Sequence, residues 1–236
     1  MNFIDIDWPR YFAIFITDNL IISFAVLLSY KLLKRKKNRA IFTLSGYYLF
    51  YSIGLLINEI MVPVLLNPIA RSLNLVATFI ALLSSPLLLF FLLILYYTEQ
   101  KFHFKYQVLI FLTYAIILIL ILNYPGGFQY NELTNWRPLY SFELFILLTI
   151  FITISTIIPQ LIYTIKLHKK VSDSKLKKRL NYFFFGLWIG NLFIYYGGIL
   201  FNTWSNMVFR VVYSIVIFVV TILAGLLIYF GVGKDI

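Results

Sequence analysis

Seven long apolar runs, separated by short polar segments, constrain this chain more than any other feature of its sequence. They lie at residues 11–33, 40–63, 73–97, 104–123, 141–165, 180–202 and 208–231. Each is close to the roughly 20 residues that an α-helix needs to cross the hydrocarbon core of a bilayer. Helices are required because unpaired backbone groups cannot face lipid. The sequence therefore predicts an all-α integral membrane protein, with residues 1–236 forming a single seven-helix transmembrane domain.

Composition also favours a bilayer over a water-soluble core. The chain is 61% apolar and 12% charged, whereas soluble domains carry about 45–50% apolar and about 25% charged residues. It has no cysteine, and its two histidines, His103 and His168, fall in short basic segments. Disulfides, thiolate metal sites and a histidine metal site within the helices are therefore excluded. Because no common catalytic motif is present, the sequence predicts neither an enzyme nor a bound cofactor or metal.

The basic residues predict the orientation of the helices. With the amino terminus outside, every lysine lies on the cytoplasmic side, and the outer side keeps four of the 20 basic residues: Arg10, Arg71, Arg137 and Arg210. The densest segment is LIYTIKLHKKVSDSKLKKRLNYFFFGLWIG, residues 161–190. The positive-inside rule then places the carboxyl terminus in the cytoplasm of a multi-pass cell-membrane protein. Because the charge is confined to one side, the net charge of +11 does not indicate a nucleic-acid partner.

Ionisable and amide side chains near the outer ends of the runs predict a ligand cavity. Such groups are costly inside a membrane and usually face the interior of a bundle. Helices 1 and 7 are neighbours in most closed seven-helix bundles, so Asp18 and Arg210 are a candidate ion pair. The predicted cavity is lined by Asp18, Asn19, Glu59, Tyr195, Trp204 and Arg210. The alternative is that these groups only form structural contacts between helices or lie in the hydrated interfacial region of the membrane.

The longest predicted outer loop is YPGGFQYNELTNWRPLY, residues 124–140. It contains the turn signal Pro125-Gly126-Gly127, and Trp136-Arg137-Pro138 leads into the fifth helix. We expect this loop to cover the cavity through Trp136 and Arg137, with an ordinary connector as the alternative.

A second set of polar and helix-bending residues lies deeper in the runs. Proline bends a membrane-spanning helix and leaves backbone carbonyls without their helical hydrogen bonds. Neighbouring polar side chains can donate to these carbonyls. We expect this set to bend the helices and relay a signal, with plain kinks and interhelical hydrogen bonds as the alternative. Its members are Ser84, Ser85, Pro86, Pro159, Gln160, Trp188 and Asn191.

The cytoplasmic basic segments are candidate contact surfaces. We expect them to bind anionic lipid headgroups or an acidic partner, at about 1 kcal/mol per basic residue near a charged surface. The alternative is that they only set the topology. The predicted contact residues are Lys34, Arg35, Lys36, Lys37, Lys175, Lys177, Lys178 and Arg179.

Several segments resemble a known family. They are KLLKRKKNRA after the first run, LLINE ending the second, LNLVATFIALLSSPLLLFFLLILYYTEQ in the third, LILNYPGG ending the fourth, and SDSKLKKRLNYFFFGLWIG entering the sixth. In these the chain resembles the seven-helix N-terminal sensor region of prokaryotic histidine kinases and related signalling proteins. The resemblance implies a receptor-like prokaryotic protein that senses a small-molecule or lipid ligand. Because the sequence stops at GVGKDI, we expect a separate cytoplasmic signalling protein as its partner.

A second resemblance suggests transport. Pro159-Gln160, followed by LIYTIKLHKK and FFFGLWIGNLFIYYGGIL, is similar to one repeat of the PQ-loop carriers, which are seven-helix small-solute transporters. The equivalent place in the first half carries Phe24-Ala25 instead of Pro-Gln. We therefore expect a sensor first, with a PQ-loop-like transporter as the alternative. A sensor needs a cavity open at most to one side, whereas a carrier needs a polar passage reaching both.

Overall fold

A computed structural model describes residues 9, 12–34, 38–61, 69–131, 134 and 137–233. It is 88% helical, and its described residues include seven helices long and apolar enough to span a membrane, which confirms the predicted all-α class. These are α1 Ala13–Leu33, α2 Arg39–Met61, α3 Ile69–Thr98, α4 Phe104–Leu122, α5 Phe142–Lys170, α6 Ser174–Thr203 and α7 Met207–Gly231. Two short antiparallel strands, β1 Phe128–Gln129 and β2 Leu139–Tyr140, lie between α4 and α5.

The basic segment between the fifth and sixth runs is mostly helical. α5 continues to Lys170, and α6 begins at Ser174, six residues before the predicted boundary. The Asp173 side chain accepts hydrogen bonds from the backbone N–H groups of Lys175 and Leu176, at 2.7 and 3.1 Å. This N-cap starts the helix within the polar sequence. Hydropathy marks only the apolar part of a helix, so it placed the boundary too late.

α3 is the central helix of the bundle and α4 is peripheral. In its apolar window, 67% of α3 is buried within the protein, compared with 22% for α4. Large apolar side chains of α4, among them Leu109 and Leu120, point outward and are exposed. Such an outer surface suits lipid, because lipid tails are as apolar as leucine side chains.

Two close helix contacts depend on glycine. A Cβ added at Gly54 of α2 would lie 2.7 Å from the carbonyl oxygen of Ala77 and 2.7 Å from the Cβ of Ala81, both in α3. A Cβ at Gly186 of α6 would lie 2.8 Å from the carbonyl oxygen of Ala224 in α7. Small residues let membrane helices approach closely, so these glycines set the α2–α3 and α6–α7 spacings.

The contact at Gly54 gives a stability prediction. Gly54→Ala should lower the free energy of unfolding by about 1–3 kcal/mol, because the new methyl group would meet backbone atoms that cannot move alone. Gly198→Ala is the matched control, since its added Cβ meets no atom within 4 Å. Unfolding in mild detergent would measure both. Equal stability of the two variants would show that α2 and α3 are not packed this closely.

Candidate functional site

A cavity of about 190 Å³ opens between α1, α2, α3, α6 and α7 at one end of the bundle. It is lined by the first half of α1, α3 and α7 and by the second half of α2 and α6, so α2 and α6 run opposite to the other three. Strand β2 and the preceding Pro138 complete the wall. The polar lining residues are Thr17, Asp18, Tyr51, Asn58, Asn74, Thr78, Tyr140, Tyr195, Asn202, Arg210 and Tyr213.

Three polar side chains form a chain of contacts across α3, α2 and α1. The Asn74 side-chain amide donates to the Asn58 side-chain oxygen at 3.4 Å. The Asn58 amide in turn donates to a carboxylate oxygen of Asp18 at 3.5 Å. The cavity wall is therefore joined by the predicted Asp18 and by two asparagines, Asn58 and Asn74, that were not predicted.

Arg210 of α7 brings a positive charge to the same cavity. Its side chain is only 3% exposed, and its guanidinium carbon lies 4.3 Å from the centre of the Phe201 ring. A guanidinium group stacks favourably on an aromatic face. Asp18 and Arg210 thus share one cavity, as the sequence predicted, and the structure shows Asp18 contacting Asn58 and Arg210 contacting Phe201.

The loop between α4 and α5 reaches the cavity through residues that were not predicted. Pro138 and Tyr140 line it, and the Tyr140 hydroxyl is 3.1 Å from the Thr78 Oγ1. Burial raises the pKa of Tyr140, against hydrogen bonds from Thr78 and Asn202 that lower it. Arg137 points back into the loop, where its Nε donates to the Thr134 carbonyl at 3.1 Å. Trp136 lies outside the described residues.

Of the predicted ligand residues, Asp18, Tyr195 and Arg210 line the cavity, while Asn19, Glu59, Trp204 and Arg137 do not. Asn19 is exposed and donates to the Phe15 carbonyl of its own helix at 3.2 Å. Trp204 is 52% exposed and stacks on Phe209, with ring centres 4.9 Å apart. The sequence did not indicate this difference, because a polar residue near a helix end does not show which way it faces.

The cavity residues that sequence analysis missed have a recognisable spacing. Tyr51, Gly54, Leu55 and Asn58 recur at three- and four-residue intervals along α2. Asn74 and Thr78 of α3 do the same, and Ile199 and Asn202 of α6 continue the spacing from the predicted Tyr195. This spacing puts residues on one face of a helix. The signal that could have found them is the recurrence of such residues along one helix face. The prediction instead selected the most polar residue near each helix end.

The deeper polar residues form a buried network joining α3, α5 and α6. The Gln160 side-chain amide donates to the Ser85 backbone carbonyl at 3.0 Å and accepts from the Asn191 amide at 3.0 Å. The Ser85 hydroxyl donates to the Thr156 Oγ1 at 2.9 Å. Beside it, the Ser84 and Tyr195 hydroxyls are hydrogen-bonded to each other. The structure therefore brings together Ser84, Ser85, Gln160 and Asn191, four of the seven predicted members.

The proline residues of this set act on the backbone. Pro86 lacks an N–H group, so the Leu82 carbonyl does not receive the helical hydrogen bond that residue 86 would otherwise donate. The Tyr114 hydroxyl of α4 donates to this carbonyl at 3.3 Å. Pro159 follows a wider π-helical turn at Thr153–Ile157. Trp188 packs against the apolar core from the side and is partly buried.

Basic residues gather at the end of the bundle opposite the cavity. The Lys170 Nζ donates to the Tyr96 carbonyl at 3.1 Å, and the Arg39 Nη2 donates to the Phe102 carbonyl at 3.1 Å. The Lys34 Nζ lies 4.6 Å from the centre of the Tyr30 ring. Of the predicted contact residues, Lys175, Lys177, Lys178 and Arg179 lie in the first turns of α6, while Arg35, Lys36 and Lys37 fall outside the described residues.

In the part of the chain that the structure describes, no three His, Cys, Asp or Glu side chains lie close enough to hold a metal ion. Comparisons with family models, curated proteins and solved structures gave no match. The cavity and the network are therefore the features of this chain that bear on its function.

The proline contact gives a second stability prediction. Tyr114→Phe should cost about 1 kcal/mol, because it leaves the Leu82 carbonyl without a donor at membrane depth. Adding Pro86→Ala should recover part of this loss, because an alanine N–H restores the bond within α3. Unfolding of the single and double variants in detergent measures the coupling. If the two effects simply add, Tyr114 is not the partner of the carbonyl that Pro86 leaves free.

Proposed function

We propose that this chain is a receptor-like multi-pass protein of the cell membrane, which binds a small polar ligand in the cavity and signals to a separate cytoplasmic protein. The observation that carries this proposal is the position of Tyr195. Its side chain lines the cavity, and its hydroxyl is bonded to Ser84 of the central helix. Ser84 is followed directly by Ser85, which contacts both Gln160 and Thr156 of α5. The cavity wall is therefore adjacent to the network, and a displacement of Tyr195 would act directly on Ser84.

The charge pattern supports an orientation with the cavity facing outward. Lys170 and Arg39 lie at the end of the bundle away from the cavity, where they donate to the Tyr96 and Phe102 carbonyls. Lysine-rich loops are retained in the cytoplasm. In this orientation the amino terminus is outside, the carboxyl terminus is cytoplasmic, and a ligand reaches the cavity without crossing the membrane.

The extent of the cavity supports sensing over transport. It occupies one end of the bundle, and toward the middle it adjoins a smaller cavity of about 50 Å³ that shares Ile21 and Tyr51 with it. That smaller cavity has a largely apolar lining, with side chains such as Phe24, Leu187 and Ile228. A solute carrier would require polar groups along the whole path.

The basic turn of α6 supplies the proposed output surface. The amino-terminal end of a helix carries a partial positive charge, so cations in its first turns are unfavourable. Lys175, Lys177 and Lys178 nevertheless lie there, which indicates a role other than stabilising the helix. Anionic lipid headgroups or an acidic surface of a partner protein would compensate for their repulsion.

Thiol labelling tests the sidedness of the cavity, since the chain has no cysteine of its own. Thr78→Cys places a thiol on the cavity wall, and Lys178→Cys places one on the exposed basic turn. In sealed vesicles, a membrane-impermeant maleimide should reach Thr78→Cys from outside only and Lys178→Cys from the cytoplasmic side only. Labelling of Thr78→Cys from both sides would favour a carrier. Labelling of both thiols from the same side would contradict the proposed orientation.

The relay is tested by a pair of neighbouring tyrosines. Tyr195→Phe removes the hydroxyl that joins the cavity wall to Ser84. Tyr196→Phe is the matched control, because its hydroxyl contacts Thr153 of α5 at 2.7 Å and the residue does not line the cavity. In the Lys178→Cys background, Tyr195→Phe should change the thiol modification rate several-fold, and Tyr196→Phe should leave it near the parent value. Unchanged rates in both variants would refute the relay.

A further inference from the structure

Three tyrosine rings form a cluster at the basic end of the bundle, where α3 meets α5. Tyr96 and Tyr97 lie in the last turn of α3, which ends where Thr98 leaves the helical conformation at a φ of 73°. Their ring centres are 4.8 Å apart. The ring centre of Tyr163 in α5 lies 5.5 Å from that of Tyr96 and 5.8 Å from that of Tyr97. This tyrosine cluster therefore joins the two helices at the end of their spans.

Two lysines of α5 are held against the tyrosine cluster. The Lys166 Nζ lies 5.2 Å from the centre of the Tyr163 ring and 5.8 Å from that of the Tyr96 ring. The Lys170 Nζ lies 5.3 Å from the centre of the Tyr96 ring and donates to the Tyr96 carbonyl. An ammonium group is attracted to the face of a tyrosine ring. Both amines are therefore positioned before any ligand arrives.

The cluster and its lysines present hydrogen-bond donors and positive charge together. An ammonium group carries three N–H donors and no acceptor, and Lys170 uses one of its three on the Tyr96 carbonyl. The Tyr97 and Tyr163 hydroxyls are hydrogen-bonded to each other at 3.2 Å. Whichever of them donates, the other keeps its own O–H for a further acceptor. The anionic oxygens of a phosphate group suit both kinds of donor.

Exposed apolar surface of α5 continues from Lys166 toward the middle of the bundle. Ile162 and Ile158 precede Lys166 by four and eight residues, a spacing that puts all three on one helix face. The two isoleucines are 44% and 46% exposed. A phospholipid with its phosphate at Lys166 would lay its acyl chains over these side chains. A free phosphate ion would gain nothing from this surface.

We propose that the tyrosine cluster and its two lysines bind the phosphate of one anionic phospholipid, through Lys166, Lys170 and the remaining O–H of the Tyr97–Tyr163 pair. A zwitterionic headgroup fits less well, because the lysines repel its ammonium group. The site is separate from the ligand cavity. It does not depend on the orientation of the chain, since both ends of a span meet a headgroup layer. Because the phosphate contacts both α3 and α5, bound lipid holds these helix ends together.

Native mass spectrometry tests the site by counting the lipids that the purified full chain retains in detergent. The chain should retain phosphatidylglycerol in preference to phosphatidylcholine. Lys166→Gln should weaken this retention about fivefold, the effect of one basic residue near an anionic lipid. Lys169→Gln is the matched control, because it removes the same charge from an exposed lysine of the same helix, and it should change retention less than twofold. Equal weakening by both variants would mean that only net charge matters and would overturn the site.

The hydroxyl groups are tested without removing the rings. Combining Tyr97→Phe with Tyr163→Phe removes the phenol donors and leaves an aromatic face beneath Lys166. Retention of phosphatidylglycerol should fall about tenfold, since a hydrogen bond to a charged group is worth at least that factor. Tyr106→Phe is the control, because Tyr106 lies beside Lys105 of α4, with 5.4 Å from the Nζ to the ring centre. Unchanged retention in the double variant would overturn the assignment of the phosphate to these hydroxyls.

Inorganic phosphate distinguishes a lipid from a free ion as the occupant. At matched ionic strength it should leave phosphatidylglycerol bound, because it gains no contact with the isoleucine surface. Displacement of the lipid by inorganic phosphate would assign an ion site and overturn the lipid site. Lys166→Arg keeps the charge and should retain phosphatidylglycerol like the parent chain. A loss equal to that of Lys166→Gln would show that the residue acts through packing and not as a phosphate ligand.

Discussion

Backbone carbonyl groups inside a bilayer must find partners within the protein, and the rest of this bundle is arranged around how α3 meets that requirement. Tyr114 of α4 donates to the carbonyl that Pro86 leaves free, and Gln160 of α5 donates to the Ser85 carbonyl. At the end of the helix, Lys170 of α5 donates to the Tyr96 carbonyl. Apolar side chains gain little by leaving lipid for protein. The positions of α4 and α5 around α3 are therefore fixed by hydrogen bonds in addition to packing.

The sequence was sufficient for the number of helices, because that number depends on the composition of long segments. It also singled out four members of the buried network, but it did not give their pairing or the part played by Thr156. Gln160 and Asn191 are isolated amide residues in apolar runs, where a polar side chain is expected to face the interior of the bundle. The residues that line the cavity were harder to predict, because several of them belong to adjacent polar pairs. Successive residues on a helix point about 100° apart, at 3.6 residues per turn, so Asp18 can line the cavity while Asn19 is exposed. Likewise Asn58 lines it and Glu59 does not.

Irregular turns explain why helical phase could not be read from hydropathy. Wider π-helical turns occur at Ala13–Asp18 in α1, Thr153–Ile157 in α5 and Asn191–Tyr196 in α6. Such turns shift the faces of all following residues and are frequent at functional sites. Each of these three contains a residue of the cavity or of the network. In α6 a single turn contains both, because Asn191 contacts Gln160 and Tyr195 contacts Ser84.

The proposed relay from the network to the basic end needs no chain of small side-chain movements, because α5 would carry it as one rigid element. Gln160 and Lys170 are ten residues apart, which is about 15 Å along a helix at 1.5 Å per residue. One turn beyond Gln160, the Tyr163 and Tyr97 hydroxyls lie 3.2 Å apart, and at the far end Lys170 donates to the Tyr96 carbonyl, so α5 is held against α3 along this stretch. Only residues 171–173 separate α5 from the capped start of α6. In the proposed relay, a tilt of α5 at Gln160 would break these contacts with α3 and move the lysine-bearing turn, because the connection of three residues can absorb little of the motion.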